Sequence, residues 1–264
     1  MSATHQRACV WLGLAFFPLF ALGLLVAGWL PPPSPHTTAA DVARMYAENR
    51  TRIRLGVWIL TAAAPLLAFY GAALSHHIRR SLGPSPLVTA QSLVAGCLIL
   101  EFIFPQMIWQ AAAFRSERDP ALVLLFHDLG WLLYMGVVGT AMVQMAICAV
   151  AILSDPRPQP LIPRWVAYVC AWTTLGVAGG SFCVFTQTGP VAWNGIIAFW
   201  LLAVSFFIWM VTMSTYMIAA TRRADEGTDL RDGRRRKADA PTTTRPHHDG
   251  NHHTTPERFR EARP

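Results

Sequence analysis

Three ionisable side chains, Glu101, His127 and Asp128, lie inside long apolar segments of this sequence. A charged residue at the centre of a transmembrane helix costs about 2.5–3.5 kcal/mol on insertion scales, so such residues face a cavity, a partner or an ion path. Carboxyl and imidazole groups in that position can bind a cation or exchange a proton. The three residues therefore form the centre of a candidate ligand or proton pocket.

Five further side chains have the chemistry to complete this pocket. The amides of Gln106 and Gln110 are four residues apart and share a helix face, and Trp131 lies one turn after the histidine. Arg54 and Arg115 lie near the ends of apolar segments, where they can supply a counter-charge from the rim. In the opposing interpretation, the polar groups only join neighbouring helices by hydrogen bonds, with the glutamate uncharged.

A second candidate is the turn that precedes the last apolar segment. Such a turn can aim backbone N–H groups at an anion or a carbonyl group. The alternative is a tight connection that needs glycine and proline for its backbone path, and the sequence favours this alternative. The residues concerned are Gly189, Pro190, Trp193, Asn194 and Gly195.

Six apolar segments must position these side chains. A bilayer core about 30 Å thick requires about 20 apolar helical residues, and each segment reaches that length. Lipid offers backbone groups no hydrogen-bond partner, so spans of this kind form helices. The sequence predicts an all-α, polytopic membrane protein with a six-helix transmembrane bundle in residues 1–221. The predicted spans are residues 9–30, 53–75, 87–113, 122–153, 165–185 and 191–217.

Two segments are predicted to lie outside the spans. Residues 38–52 have apolar residues at helical spacing, and Thr38 with Asp41 three positions later is typical of a helix N-terminus. This amphipathic helix either packs on top of the bundle or covers the mouth of a pocket. Residues 222–264 are polar and basic, and we expect a disordered cytoplasmic tail there.

The positive charges predict location and orientation. Of the 264 residues 53% are hydrophobic and 14% are charged, and the net charge of +7 comes from arginines at span ends and in the tail. This is typical of a topology signal, not of a nucleic-acid site. Arg79, Arg80, Arg157 and Arg164 place both termini in the cytoplasm. Lys237 is the only lysine, a bias that indicates a bacterial, GC-rich genome and therefore an inner-membrane protein.

Signatures of cofactors and enzymes are missing from the sequence. The five cysteines include no CxxC pair, so neither a zinc site nor a disulfide framework is indicated. Methionines on the fourth span suit packing better than copper binding, and His127 alone within a span is poor support for haem. We expect no metal and can name no cofactor. Zinc-protease, nucleophile-elbow and phosphate-loop motifs are absent, which disfavours an enzyme.

Several short phrases together resemble a group of actinobacterial six-span integral membrane proteins. The likeness covers about residues 10–220, and that group has no established activity to carry over. The resemblance implies the same six-span layout and draws attention to the loops on the outer side of the membrane, opposite the predicted cytoplasmic tail. The phrases are LPPPSP at 30–35, AFR with DP at 113–120, DLGW at 128–131, PRW at 163–165 and TGPVAWNG at 188–195.

The leading hypothesis is binding or transport of a small apolar or amphipathic molecule, or a role as membrane subunit of a larger assembly. Asp128 and Glu101 would supply polarity, Gln106 and Gln110 would orient the ligand, and residues 38–52 would cover an outward mouth. One alternative is an intramembrane enzyme that uses either carboxyl group as acid or base. Another is a purely structural subunit. The partners expected are the lipid bilayer, the ligand and other membrane subunits, without nucleic acid.

Overall fold

The computed structural model describes residues 3–115 and 117–238, and side chains as far as residue 224. This part of the chain is helical and contains no β-strand. Within these described residues, six helical segments are long and apolar enough to cross a membrane, which confirms the predicted all-α, polytopic fold. The spans are Ala3–Ala27, Arg50–Leu82, Pro86–Phe114, Pro120–Leu153, Trp165–Phe185 and Ile196–Ala224.

The third of these six spans is one unbroken α-helix. Each of the other five combines two helical segments. Helices α1 and α2 form the first span, α4 and α5 the second, α6 the third, and α7 and α8 the fourth. Helix α9 and a 3₁₀ segment form the fifth span, and a π-helical segment with α10 forms the sixth. The bounds are α1 Ala3–Leu14, α2 Phe16–Ala27, α3 Ala39–Glu48, α4 Arg50–Ala63, α5 Leu66–Leu82, α6 Pro86–Phe114, α7 Pro120–Gly136, α8 Gly139–Leu153, α9 Trp165–Ala178, the 3₁₀ segment Gly179–Phe185, the π-helical segment Ile196–Leu201 and α10 Leu202–Ala238.

The last helix extends beyond the predicted transmembrane bundle. Helix α10 runs on to Ala238, whereas the sequence predicts a disordered tail from residue 222. Residues 222–238 lack proline and include six arginines, a residue that favours helix. A second unit begins at Glu226, and its described part is this helical stretch. The rest of the predicted tail, residues 239–264, lies outside the described residues.

Small residues allow the first two spans to pack closely. An added Cβ on Gly56 of α4 would lie 2.5 Å from the carbonyl oxygen of Gly23 on α2. Nearby, Val57 and Leu60 of α4 are completely buried. Membrane helices associate mainly through such close van der Waals packing, because lipid supplies no hydrophobic drive between them.

Helix α3 packs against α7 on the side of the bundle opposite the chain's N-terminus. Thr38 caps it: the Asp41 backbone N–H donates to the Thr38 hydroxyl at 3.2 Å, and that hydroxyl donates to the Asp41 carboxylate at 2.7 Å. Val42 and Tyr46 are buried against the bundle. Arg50, at the start of α4, donates to the backbone carbonyl of Phe114. The predicted amphipathic helix and its cap are both present, but this surface helix ends at Glu48, and residues 50–52 belong to the second span.

Irregular backbone from three spans meets in one place. The fourth span is interrupted at Val137 and Val138, between α7 and α8. An added Cβ on Gly180, in the 3₁₀ segment, would lie 2.7 Å from the carbonyl oxygen of Met135 and 3.1 Å from Val138. The neighbouring Gly179 packs as closely on Ile197, in the π-helical segment. At membrane depth such backbone is tolerated where it is buried in protein or lines a cavity.

Candidate functional site

A cavity of about 190 Å³ lies beside this irregular backbone, mainly between the first, third, fourth and sixth spans, and Val177 of the fifth span also contributes to its wall. Its walls are mainly aromatic. The rings of Phe20 and Phe102 meet edge to face at 5.3 Å between centroids, and Phe20 stacks on Tyr134 at 5.6 Å. Val137 and Val138 of the interrupted span also line it. We call this space the four-span cavity.

Glu101 is the ionisable side chain of the four-span cavity. Its carboxyl group lies beside Thr140, in the first turn of α8. The N-terminus of a helix carries partial positive charge, which stabilises a nearby carboxylate. Pro105, four residues further along α6, has no N–H to donate to the Glu101 carbonyl. Glu101 therefore brings a carboxyl group to a largely apolar space, and its backbone carbonyl lacks the usual helical N–H donor.

This arrangement is typical of a binding site for a small, mainly apolar molecule. Such sites have apolar and aromatic walls with a few polar groups that fix the ligand's orientation. In the four-span cavity the Glu101 carboxyl can accept a hydrogen bond, bind a positive charge or exchange a proton. The phenol of Tyr134 is a second polar group on the wall.

His127 lies outside the four-span cavity, in a compact aromatic cluster. The cluster packs Trp109 against Trp29 and Trp131, with 4.9 Å between ring centroids in each pair. Trp193 stacks on Trp131 at 6.3 Å. The Trp109 indole N–H donates to the backbone carbonyl of His127 at 3.4 Å. We call these five residues, with Tyr46, the aromatic cluster.

The His127 imidazole is buried within the aromatic cluster, with 1% of the residue exposed. Its Nδ1 shares a 3.2 Å hydrogen bond with the Tyr46 hydroxyl of α3. Within the described part of the chain, no partner reaches its Nε2 or the indole nitrogens of Trp29 and Trp131. The histidine thus fastens the surface helix to the fourth span.

Asp128 lines a different cavity, of about 320 Å³, on the side of the bundle that carries α3. Its Oδ1 atom is buried and has no hydrogen-bond partner among the described residues. Trp193, Thr186 and Gln187 line the same space. A carboxylate oxygen without a donor beside a cavity is available to a cation or to water.

The other predicted pocket residues are dispersed. Gln106 is fully buried, and both polar atoms of its amide lack a partner within the described residues. Gln110 donates to the backbone carbonyl of Arg54 at 2.9 Å, so it joins the third span to the second. The guanidinium of Arg115 lies over the Phe114 ring, 5.8 Å from its centroid. Among residues 3–115 and 117–224, no ion pair links Arg54 or Arg115 to either carboxyl group.

The turn at residues 189–195 is a tight connection. Gly189 has a φ of 84°, and a side chain on Gly195 would collide with the carbonyl oxygen of Pro190. The backbone N–H of Gly195 donates to Ala192 at 2.7 Å, and that of Ile197 donates to Pro190 at 2.8 Å. Because these donors are used internally, they do not point to an anion. The turn consumes residues 191–195, so the sixth span begins at Ile196 and not at 191 as predicted.

The side chains of Trp193 and Asn194 have different surroundings in this turn. The Trp193 indole N–H donates to the Pro33 carbonyl at 2.8 Å, which ties the turn to the loop after the first span. Asn194 is partly exposed. The turn therefore positions Trp193 at the edge of the aromatic cluster.

The structure brings some predicted site residues together and separates others. His127, Trp131 and Trp193 meet in the aromatic cluster, with Asp128 next to it, whereas Glu101 lines the four-span cavity. The predicted single pocket is thus divided: Glu101 lines the four-span cavity and, with Pro105, a cavity of about 270 Å³, whereas Asp128 lines another. Sequence reasoning missed the aromatic walls of the four-span cavity, because Phe20 and Phe102 look like ordinary span residues.

Comparisons of this chain with protein-family models, with curated proteins and with solved structures give no match. The likeness to actinobacterial six-span proteins stays a proposal. The chain is a multi-pass membrane protein of the all-α class, and the cavities and side chains described above are the basis for its function.

Proposed function

We propose that this protein binds a small apolar or amphipathic molecule in the four-span cavity and transports it, alone or as the membrane subunit of a larger assembly. The observation that carries the proposal is the position of Glu101. It is an acidic side chain on the wall of an apolar cavity, at the point where the fourth span is interrupted. An intramembrane ionisable residue in a cavity is functional more often than structural, because its burial costs stability.

The size and lining of the four-span cavity define the class of ligand. An engineered apolar cavity of about 150 Å³ holds benzene, and this cavity measures about 190 Å³. Its phenylalanine-rich wall suits an apolar body, and the Glu101 carboxyl suits one hydrogen-bond donor or one positive charge at the end of that body. A short-chain amphipathic amine or alcohol has both features.

The interrupted helices support transport over permanent binding. By analogy at the level of architecture, many transporters place substrate sites at discontinuous helices, where half-helix ends meet the substrate or the coupling ion. Here the start of α8 lies beside Glu101, and the 3₁₀ and π-helical segments pack around the same break. Within helices, 3₁₀ stretches often mark functional hinges, and π-helical turns are frequent at functional sites.

We further propose that the protein lies in a bacterial inner membrane with both termini in the cytoplasm. The support is the basic character of the side of the bundle on which the first span begins. On that side, Arg157 donates to the backbone carbonyl of Arg80, and Arg223 donates to the backbone carbonyl of Leu161. Reporter fusions after residue 35 and after residue 224 test this orientation. A periplasmic reporter should be active only in the first fusion, and the reverse pattern would invert the proposed topology.

The binding proposal is tested by native mass spectrometry on the full chain purified in nanodiscs. We expect a retained small molecule in the unmodified protein and its loss in Ala203→Phe, which fills the four-span cavity. Ala171→Phe adds the same ring on the exposed face of α9 and is the matched control. Equal retention in the two variants, or no retained molecule in any protein, would refute binding in this cavity.

Glu101→Gln then separates the two ligand classes. The amide keeps the shape of the side chain but loses the negative charge. A ligand with a positive group should be lost from this variant, whereas a wholly apolar ligand should remain bound. Accumulation of the identified molecule in proteoliposomes that contain the protein would establish transport, and conversion to a new product in detergent would favour an enzyme instead.

A further inference from the structure

A second group of reactive side chains lies in the half of the bundle near the chain's N-terminus, away from the four-span cavity. His77 of α5, Cys148 of α8 and Met213 of α10 line one cavity of about 10 Å³. All three are almost completely buried. The cavity is at the lower limit for one water molecule, and a bare metal ion is smaller than water.

The hydrogen bonds of His77 leave one nitrogen available. Its Nε2 lies 3.2 Å from the backbone carbonyl oxygen of Met217. A carbonyl only accepts, so Nε2 carries the hydrogen and Nδ1 carries a lone pair. Nδ1 is buried and has no partner among the described residues. Metal-binding histidines have this arrangement: one nitrogen donates to a backbone carbonyl, which fixes the ring, and the other binds the metal.

The sulfur atoms around this cavity are connected. The Cys170 thiol of α9 donates to the Met213 thioether at 3.8 Å. Cys148 and Cys170 are both completely buried, and each is a free thiol. The fourth and sixth spans thus contribute sulfur to the cavity wall, and the second span contributes the imidazole. The Cys170 sulfur of the fifth span contacts Met213 from outside the cavity.

We propose that His77, Cys148 and Met213 form a site for a soft monovalent metal ion, Cu(I). Thiolate and thioether ligands select Cu(I) over harder ions. The described residues contain no group of three or more histidine, cysteine or acidic side chains placed to hold a metal, so the site depends on the thioether. Zinc sites use cysteine, histidine and carboxylate ligands and not methionine, which leaves zinc disfavoured.

The charge balance also favours a monovalent ion. When Cu(I) binds, the Cys148 S–H bond breaks, its proton leaves to solvent, and a bond forms between sulfur and copper. One positive charge replaces another, so the buried site has the same net charge before and after. Copper remains Cu(I) throughout and no electron is transferred. A divalent ion with the same ligands would leave an uncompensated charge in the membrane interior.

The site is tested by titrating the full chain in detergent with Cu(I) held by a colorimetric chelator, under reducing conditions. We expect the unmodified protein to remove one Cu(I) per chain, with a near-ultraviolet absorption band from sulfur to copper. Met213→Leu preserves the side-chain volume, and Cys148→Ser removes the thiolate. Each should weaken Cu(I) binding by at least about tenfold.

Cys97→Ser is the matched control, because Cys97 is an exposed thiol on the third span. This variant should bind Cu(I) like the unmodified protein. The site does not exist if the protein removes no Cu(I) from the chelator, or if Met213→Leu binds as tightly as Cys97→Ser. X-ray absorption at the copper edge should show nitrogen as well as sulfur, and sulfur alone would exclude His77 as a ligand.

Discussion

The Tyr46 hydroxyl of the surface helix α3 lies 3.2 Å from Nδ1 of His127 in the fourth span. Both side chains are buried, so neither has water as a substitute partner. Tyr46→Phe should leave His127 Nδ1 unsatisfied and lower the free energy of unfolding by about 1–3 kcal/mol. Thermal or denaturant unfolding in detergent, followed by tryptophan fluorescence, measures this effect, because four tryptophans surround the histidine.

Tyr216→Phe provides the control for this prediction. Tyr216 is partly buried and its ring meets Trp165 edge to face at 5.4 Å, so the change removes a hydroxyl from another aromatic contact. Its unfolding free energy should change by less than that of Tyr46→Phe. Equal losses in the two variants would mean that the bond to His127 contributes nothing of its own.

The contact between Gly23 and Gly56 leads to a second prediction. A methyl group on Gly56 would lie 2.5 Å from the Gly23 carbonyl oxygen, so Gly56→Ala must push α2 and α4 apart. Overpacking of this kind costs about 1–3 kcal/mol. An added methyl on Gly96 would contact nothing within 4 Å, so Gly96→Ala should be neutral or stabilising. Unfolding midpoints of the two variants in one detergent compare them directly, and similar midpoints would contradict the close packing.

The fold was predictable because lipid simplifies the problem. A run of about 20 apolar residues is stable in a bilayer as a transmembrane helix, and proline or charged residues mark where each span ends. The cap at Thr38 was equally clear, because its side-chain chemistry is local. The interruption at Val137 and Val138 was not predictable, since valine is common in unbroken membrane helices. Gly180 of another span approaches the backbone there, a contact with no local signal in the sequence.

The candidate site was predictable only in part. Burial costs single out ionisable residues in a span, so the sequence alone draws attention to Glu101 and Asp128, and their role as site residues stays a prediction. Their assignment to one pocket was an extrapolation from ideal helix geometry. The structure places these two residues at different cavities, because the direction of a side chain depends on how the helices rotate against each other. The pairing of His127 with Tyr46 spans 81 residues and has no local signal.

The cap of α3 predicts a local pH effect. The Thr38 hydroxyl donates to the Asp41 carboxylate, and the nearby Arg44 guanidinium adds attraction, so the pKa of Asp41 lies below its ordinary value. A carboxyl group with a lowered pKa in the folded state contributes stability above its unfolded pKa, and this contribution is lost as pH falls through the folded pKa. The amides of α3 should therefore exchange hydrogen faster, relative to their intrinsic rates, when the pH falls below about 4.

Thr38→Ala tests the same cap at neutral pH. Loss of a threonine cap costs a helix about 1 kcal/mol, so exchange in α3 should accelerate by about fivefold while α6 stays protected. The variant should also show a smaller pH effect on α3, because the largest cause of the lowered Asp41 pKa has been removed. If the pH effect on α3 is unchanged in this variant, the lowered pKa of Asp41 is caused by Arg44 and not by Thr38.

Asp128 and Asp155 are both aspartates with a buried oxygen, but they differ in their partners. Both oxygens of Asp155 accept backbone N–H groups, from Arg157 at 3.2 Å and from Leu161 at 3.1 Å. Asp155→Asn replaces one acceptor with a donor, so one of these N–H groups loses its partner at a cost of about 1–3 kcal/mol. Oδ1 of Asp128 has no partner among the described residues, so Asp128→Asn has no such bond to break.

Asp128→Asn should therefore leave the unfolding free energy within about 0.5 kcal/mol of the unmodified protein, or raise it, because a buried charge is removed. Unfolding of the two variants in the same detergent measures the difference between them. If Asp128→Asn loses as much stability as Asp155→Asn, the carboxylate of Asp128 has a structural role in joining helices. If it keeps stability but loses transport of the ligand found by mass spectrometry, the cavity beside Trp193 belongs to the path that the ligand takes to Glu101.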